Sequence, residues 1–284
     1  MWPSINAEYT QENFRRRVSD LSWSKWRPSK IVWHNTAAPT LAQWIKSADQ
    51  DRANGLVPGI TRIRNLEAFF RDNNHWSGCP HLFIANDFIW EMNVLTSPGV
   101  HSPSWNGTSI GIEMIGDYDT EQADSGEGLK VKQNTIFATA ILCSAIGLEP
   151  TSGEVDARHN TSGTIFLHKQ DWKTTHDCPG KHMADDKTEM IAEVAGLMVG
   201  GDAHDIGTPG LTPTPRNCIT TIDGLSFRRG PGVTNESTGT LPKGTKLIIL
   251  AEAPNGADTW YQAKTPAGYI GWVSGRYVQI LTGG

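Results

Sequence analysis

Cysteine is scarce in this sequence, and the few cysteines lie far apart. The 284 residues include four, at positions 79, 143, 178 and 218, and no two form a Cys-x-x-Cys pair. Domains that disulfides hold together carry denser cysteine patterns. We therefore expect reduced thiols and a fold that depends on a hydrophobic core, for which this length is sufficient.

Long apolar runs and basic clusters are also missing. No window approaches the ~18 apolar residues of a membrane-spanning helix, and the N-terminus lacks the basic start and apolar stretch of a secretory signal. The longest basic run is residues 15–17, and the formal net charge is −5. These absences predict synthesis in the cytoplasm, no stable membrane insertion and no nucleic-acid partner.

A change of composition divides the chain. Between residues 200 and 215, Gly, Pro and Thr occupy ten of sixteen positions, which is typical of an extended linker. We therefore predict a first domain at 1–199, a linker at 200–215 and a second domain at 216–284.

The first domain alternates apolar runs with segments of helical periodicity, which indicates an α/β fold. The predicted strands are residues 30–34, 81–85, 88–92, 109–115 and 164–168, the second and third as a hairpin. The predicted helices are residues 41–47, 61–72, 133–146 and 184–199. In the second domain, short β-branched runs separated by Gly and Pro predict a small all-β barrel.

Two histidines and one cysteine follow a pattern suited to a metal. His168 ends a predicted strand, Cys178 follows ten residues later beside a Pro-Gly turn, and His34 closes another strand. Two imidazoles and one thiolate leave the fourth tetrahedral position free, as in catalytic zinc sites. The alternatives are hydrogen-bonded structural histidines and a cysteine that packs as a small apolar residue.

Four ordered motifs carry a family resemblance over residues 28–183. They are Val-Trp-His-Asn-Thr at 32–36, Pro-His-Leu-Phe-Ile-Ala-Asn at 80–86, Val-His at 100–101 with Trp-Asn-Gly-Thr-Ser-Ile-Gly-Ile-Glu at 105–113, and His168 with His-Asp-Cys-Pro-Gly at 176–180. They resemble the motifs of the zinc-dependent N-acetylmuramoyl-L-alanine amidases, which are similar in fold to the peptidoglycan recognition proteins. The resemblance implies a mixed central β-sheet flanked by helices and bacterial peptidoglycan as the substrate.

The same resemblance implies roles for individual residues. It implies zinc ligands at His34, His168 and Cys178, a catalytic glutamate at Glu113, and contact between His176 and the developing oxyanion. Two further histidines, His81 and His101, match motif positions near the cleft, and the alternatives for them are a substrate contact, a hydrogen bond to a metal ligand or a core histidine. Trp105 is a candidate aromatic wall for the substrate, with plain packing as the alternative.

The chemistry expected of these residues is amide hydrolysis. Zinc lowers the pKa of bound water from about 15.7 to about 7, and Glu113 would pass the water proton to the leaving nitrogen. A salt-bridged surface carboxylate is the alternative for Glu113.

Two positions depart from the family pattern. Pro80 stands where some members have Tyr, and His176 stands where Lys or Thr is common. A histidine at position 176 predicts pH-dependent activity.

The second domain resembles the bacterial SH3-like domains that target cell walls, over residues 217–281. The features that carry this resemblance are Gly-Pro-Gly at 230–232, Pro-Lys-Gly at 242–244 and Gly-Trp-Val at 271–273. It implies peptidoglycan binding. Four aromatic residues are candidates for a wall-binding groove, with core packing as the alternative for several of them: Trp260, Tyr261, Trp272 and Tyr277.

Together these features predict a monomeric peptidoglycan hydrolase that cleaves the bond between N-acetylmuramic acid and L-alanine. The expected setting is a phage endolysin, made in the host cytoplasm and released to the cell wall. Two alternatives remain: a non-catalytic peptidoglycan-recognition protein and a bacterial autolysin.

Overall fold

The chain forms two compact units, Met1–Met198 and Val199–Gly284. The computed structural model of the protein describes residue 2 and residues 5–199, 216–228, 230–233, 235, 237–255, 258–266 and 270–281. The predicted linker at 200–215 lies outside these residues. Among the helices of the described residues, none combines the length and the apolar composition that a bilayer span requires.

A mixed β-sheet forms the centre of the first unit. The strands of this unit are β1 (Ala7–Tyr9), β2 (Lys30–Asn35), β3 (Leu82–Ile84), β4 (Ile89–Glu91), β5 (Ser109–Met114), β6 (Glu154–Val155), β7 (Thr161–Ser162) and β8 (Ile165–Leu167). The sheet has the order β1-β4-β3-β5-β2-β8, and β6 pairs with β7 separately. Strands β3, β5, β2 and β8 are parallel, whereas β4 is antiparallel to β1 and β3. The predicted mixed α/β fold is confirmed.

Helices flank this sheet. They are α1 (Gln11–Ser19), α2 (Leu41–Ala53), α3 (Ile60–Ala68), α4 (Gly126–Ile146), α5 (Lys181–Asp185) and α6 (Lys187–Val199). Helix α4 packs against β3 and β5, and the buried Trp33 Nε1 donates to Thr139 Oγ1 at 3.1 Å. Because successive side chains of a strand point to opposite faces, His34 lies on the sheet face that α4 does not cover.

Several elements differ from the sequence prediction. The predicted helix 61–72 is α-helical only to Ala68 and continues as a π-helix, Phe69–Asn73. The predicted helix 184–199 is divided between α5 and α6 at Asp186. The N-terminal β1 and α1 have weak sequence signals, since Phe14 and Val18 are the buried residues of an otherwise polar helix.

The N-terminal segment is held to the sheet by a buried ion pair. Glu91 on β4 is fully buried and accepts from Arg17 Nε at 2.8 Å and Nη2 at 2.9 Å. The Tyr9 hydroxyl donates to the same carboxylate at 3.3 Å. A buried carboxylate requires such partners, because leaving it uncompensated in the interior is costly.

The second unit is all-β, as predicted. Its strands are β9 (Arg216–Thr220), β10 (Leu225–Arg228), β11 (Ser237–Leu241), β12 (Lys246–Asn255), β13 (Asp258–Lys264), β14 (Ile270–Ser274) and β15 (Val278–Ile280). They form an antiparallel sheet in the order β11-β10-β14-β13-β12-β9-β15. Its buried core consists of Cys218, Leu225, Phe227, Leu247, Ile249, Ala263 and Val273.

The Glu91 ion pair predicts an unequal effect of two neighbouring arginine substitutions. Arg17→Ala leaves Glu91 buried without its cation and should lower the free energy of unfolding by about 3 kcal/mol. Arg16→Ala removes only an exposed pair with Glu12 and should cost less than about 1 kcal/mol. Urea denaturation followed by tryptophan fluorescence measures both, and equal losses would contradict the role of the pair.

Candidate functional site

The candidate site forms where three parallel strands end. In the register of β2 with β5, His34 lies beside Glu113, and in that of β2 with β8, Trp33 lies beside Leu167. His168 is the next residue of the chain after Leu167. The carboxyl ends of parallel strands are a usual place for ligand sites in α/β sheets.

Cys178 reaches the same place from a loop. The backbone N–H of Lys169 donates to the carbonyl of Cys178 at 2.9 Å, which closes the loop that begins after His168. The N–H of Asn35, at the end of β2, donates to Cys178 Sγ at 3.1 Å. One ligand atom each from His34, His168 and Cys178 lies within 4.8 Å of the others, so the three could hold a metal ion.

The protonation of these residues suits a metal. Burial, with further contributions from His168 and His101, lowers the pKa of His34 well below its usual value, and burial lowers that of His168 to about 4. Both rings are therefore neutral near pH 7, which is the form that coordinates metals. Burial and the nearby charge of Glu113 raise the pKa of the Cys178 thiol, which a bound cation would counteract.

The donor set fits zinc in particular. His168 Nε2 is buried and has no hydrogen-bond partner in the described residues, a costly state for a ring nitrogen that has no ligand. Imidazole and thiolate are both zinc ligands, and a set of three protein ligands leaves a coordination position open for substrate or water, as in catalytic zinc sites.

A second histidine fixes the orientation of the first. Nε2 of the buried His101 lies 3.4 Å from the carbonyl oxygen of Ser109, and since a carbonyl only accepts, Nε2 carries the proton. Nδ1 of His101 therefore accepts from His34 Nε2 at 3.0 Å, which leaves Nδ1 of His34 for a ligand. Position 111 must be glycine here, because a Cβ on Gly111 would lie 2.5 Å from the His101 ring.

Glu113 faces the same cavity as the three candidate ligands. Its side chain is 8 % exposed, and burial raises its pKa to about 8. Within the described part of the chain Glu113 forms no salt bridge, so the alternative of a salt-bridged surface carboxylate is wrong. A carboxyl group whose pKa lies near neutrality is suited to accept and return a proton.

The other predicted residues of this unit occupy different positions. His176 is exposed at the cavity, and its ring stacks with that of His168 at 5.8 Å between centroids. His81 is fully buried: its Nδ1 accepts from Gly111 N at 3.0 Å and its Nε2 donates to the Ser97 carbonyl at 2.9 Å. This ring has no nitrogen left for a substrate.

Trp105 lies in the protein interior. It is 3 % exposed and packs in a buried cluster with Val32 and Phe166, so its side chain supports the sheet and presents no surface to a substrate. Of the three weaker candidates for substrate contact, His101 is the one whose side chain lines the cavity, and both of its ring nitrogens are bonded within the protein.

The cavity has a volume of about 660 Å³ and extends beyond the predicted residues. One wall comes from α3 and the turn that follows it. The sequence indicated Trp76 as a candidate aromatic wall, with plain packing as the alternative, but it gave no sign of the residues of α3. Phe69 and Trp76 both line this wall and are 49 % and 38 % exposed.

The aromatic candidates of the second unit differ in exposure. Trp260 is buried, Tyr261 and Trp272 are half-buried, and Tyr277 is 41 % exposed. The side chain of Trp260 therefore packs in the interior of the unit.

A smaller cavity of about 210 Å³ lies elsewhere in this unit, and its lining includes Lys246 and Lys264.

Comparison with known proteins gives relatives for both units. Residues 223–279 match the bacterial SH3 domain family. Over 127 residues the chain is 28 % identical to peptidoglycan-recognition protein SC2 of Drosophila simulans and to that of Drosophila melanogaster, covering 44 % of this chain and 59 % of the relatives. The chain thus spans about three fifths of the length of these relatives.

Solved structures similar to the chain include amidases and recognition proteins. The endolysin amidase LysCS of Clostridium intestinale is 17 % identical over 67 % of this chain and 95 % of its own, with a TM-score of 0.36. The hydrolase AmiA of Staphylococcus aureus is 20 % identical over 70 % and 83 %, with a TM-score of 0.40. Drosophila PGRP-LB is 17 % identical over 66 % and 87 %, also with a TM-score of 0.40.

The first unit is assigned to a family by its match to a known protein family. Residues 24–181, more than half of the chain, match the N-acetylmuramoyl-L-alanine amidase family. This range contains the parallel strand ends, the His34, His168 and Cys178 cluster and Glu113. The protein therefore belongs to the N-acetylmuramoyl-L-alanine amidase family and carries a bacterial SH3 domain in its second unit.

Proposed function

We propose that the protein is a zinc-dependent peptidoglycan hydrolase that cleaves the amide between N-acetylmuramic acid and L-alanine. The observation that carries the proposal is the convergence of His34, His168 and Cys178 on one point, with Glu113 lining the same cavity. A recognition protein that only binds peptidoglycan does not need this combination of a metal donor set and a buried carboxyl group.

The metal would be held by His34, His168 and Cys178. A zinc ion in that position acts as a Lewis acid that polarises a carbonyl group and makes water a stronger acid. His101 keeps the His34 ring in place through the Nδ1 contact, and the N–H of Asn35 stabilises the thiolate form of Cys178.

Glu113 would move the proton. Its carboxylate would accept a proton from the attacking water and return it to the nitrogen of L-alanine. That nitrogen then leaves as a neutral amine and not as an anion. His176, exposed beside His168, would donate a hydrogen bond to the oxygen that becomes negative during attack.

The second unit would bind the cell wall. A bacterial SH3 domain joined to an amidase unit raises the local concentration of the catalytic unit at an insoluble substrate. We propose a role in lysis of the bacterial cell wall, as in a phage endolysin that is made in the host cytoplasm and acts after release. A bacterial autolysin is the second setting to which this arrangement is suited.

Two substitutions separate metal binding from proton transfer. Cys178→Ser should lose bound zinc and release no peptide from purified peptidoglycan, because a serine hydroxyl is a poor zinc ligand. Glu113→Gln should retain zinc and lose activity by about a hundredfold or more, because the amide cannot accept the proton. Mass spectrometry of released fragments and zinc quantification measure both.

The control for Glu113→Gln is Glu149→Gln, at an exposed position outside the cavity, which should release peptides with free L-alanine N-termini at the wild-type rate. If zinc-loaded wild type releases no such peptides but sediments with cell walls, the amidase proposal fails and the recognition-protein alternative takes its place.

The contact between His34 and His101 predicts an effect on metal affinity. His101→Ala removes the acceptor that orients the His34 ring and should weaken zinc binding about 10- to 100-fold. His75→Ala, at an exposed position, is the control and should leave affinity unchanged. Competition with a chromophoric chelator gives both affinities, and equal values would show that His101 does not orient the ligand.

A further inference from the structure

One side of α3 faces the cavity. Residues at positions i, i+3, i+4 and i+7 of a helix share a face, and this spacing relates the four residues from α3 and the following turn that line the cavity. We call them the α3 wall: Arg62, Asn65, Leu66 and Phe69. The wall bounds the same cavity as the candidate metal ligands, so a substrate with its amide at the ligands can extend along it.

Arg62 is the positive group of this wall. The side chain is half-buried, and its Nε is shielded from solvent without a hydrogen-bond partner. Within the described residues it forms no ion pair, whereas Arg71, later in the same segment, is paired with Glu67 and Asp72. A guanidinium group on a cavity wall without a counter-ion among the described residues favours an anionic ligand.

The charges around the cavity are divided between its walls. Among the described lining residues, Arg62 is the single lysine or arginine, and the acidic ones are Glu113, Asp119 and Asp177. Arg62 is therefore the lining side chain that attracts a negatively charged group of a ligand, and it places that group at the α3 wall. The guanidinium group matches a carboxylate in shape, with two parallel N–H donors.

Apolar surface lines the same cavity as Arg62. Phe70 and Trp76 both line the cavity, and their rings stack at 5.2 Å between centroids. The chain here is the π-helical turn Phe69–Asn73, in which the N–H of Asn74 donates to the carbonyl of Phe69. Turns of this type are frequent at functional sites. An aromatic surface beside a cation suits a peptide with apolar stems and charged ends.

We propose that Arg62 binds a carboxylate of the peptide on the L-alanine side of the scissile amide. This inference rests on the proposed function. In the substrate, the lactyl carboxyl of muramic acid is consumed in that amide and its N-acetylated sugars are uncharged, so the free carboxylates belong to the peptide. Arg62 is thus a specificity residue that distinguishes stem peptides with free carboxylates from amidated ones.

The test compares full-length variants on soluble muramoyl tripeptides with all carboxylates free or all amidated. The variants are Arg62→Ala, Arg62→Lys and the control Arg64→Ala, whose side chain is exposed on the same helix and outside the cavity lining. Peptide release measured by mass spectrometry gives KM and kcat separately. Singly amidated tripeptides then identify which carboxylate is bound.

With the free-acid substrate, Arg62→Ala should raise KM about 10- to 100-fold with little change in kcat, as expected for loss of a charged hydrogen bond. Arg62→Lys should recover part of this loss, and Arg64→Ala should behave as wild type. With the amidated substrate, wild type and Arg62→Ala should have the same KM. Unchanged melting temperatures of the variants exclude a folding defect.

Equal losses by Arg62→Ala on both substrates, or a loss no greater than that of Arg64→Ala, would overturn the inference. If the proposed function fails, wild type cleaves neither substrate, and this result distinguishes that failure from failure of the inference. Titration calorimetry of the same peptides with wild type and Arg62→Ala then tests the inference, because it still requires a 10- to 100-fold difference in Kd for the free acid alone.

Discussion

The parallel pairing of β2 with β5 and β8 is the constraint on which the rest of the site depends. Parallel hydrogen bonding fixes the register, so His34 and Glu113 lie side by side and His168 follows the strand next to them. Hydrogen bonds from the backbone N–H groups of Lys169 and Asn35 to Cys178 then hold the loop that carries Cys178 beside the two histidines. A rigid sheet edge holds a metal donor set more accurately than flexible loops alone would.

Burial at this edge acts on the charges of the site in opposite directions. It lowers the pKa values of His34 and His168 and raises those of Glu113 and Cys178, because in each case it disfavours the charged form. The two imidazoles are thereby kept neutral, which is the form that coordinates metals, and the pKa of Glu113 is brought near neutrality, which suits the proton transfer proposed for it. One physical cause thus acts on both the candidate metal ligands and the proposed base.

The same cavity separates chemistry from recognition along its walls. The acidic groups and the candidate ligands lie at the strand ends, whereas the α3 wall offers Arg62 and apolar surface. A peptide carboxylate held at the α3 wall, as proposed, would orient the substrate relative to the candidate ligands. In the proposed function the second unit binds the cell wall, so the cavity would need to recognise only the bond and its immediate neighbours.

The sequence by itself determined the strand-forming runs, the all-β character of the second unit and the choice of His34, His168 and Cys178 as candidate metal ligands, because these depend on local patterns and ordered motifs. It did not determine β1 and α1, since α1 buries only Phe14 and Val18 and is held by the distant Glu91. It also could not separate His101, which contacts His34, from His81, which bonds only to backbone. Such distinctions arise from contacts between residues far apart in sequence, which only the packed tertiary structure decides. The same holds for the α3 wall and for Arg62, which has no ion-pair partner among the described residues.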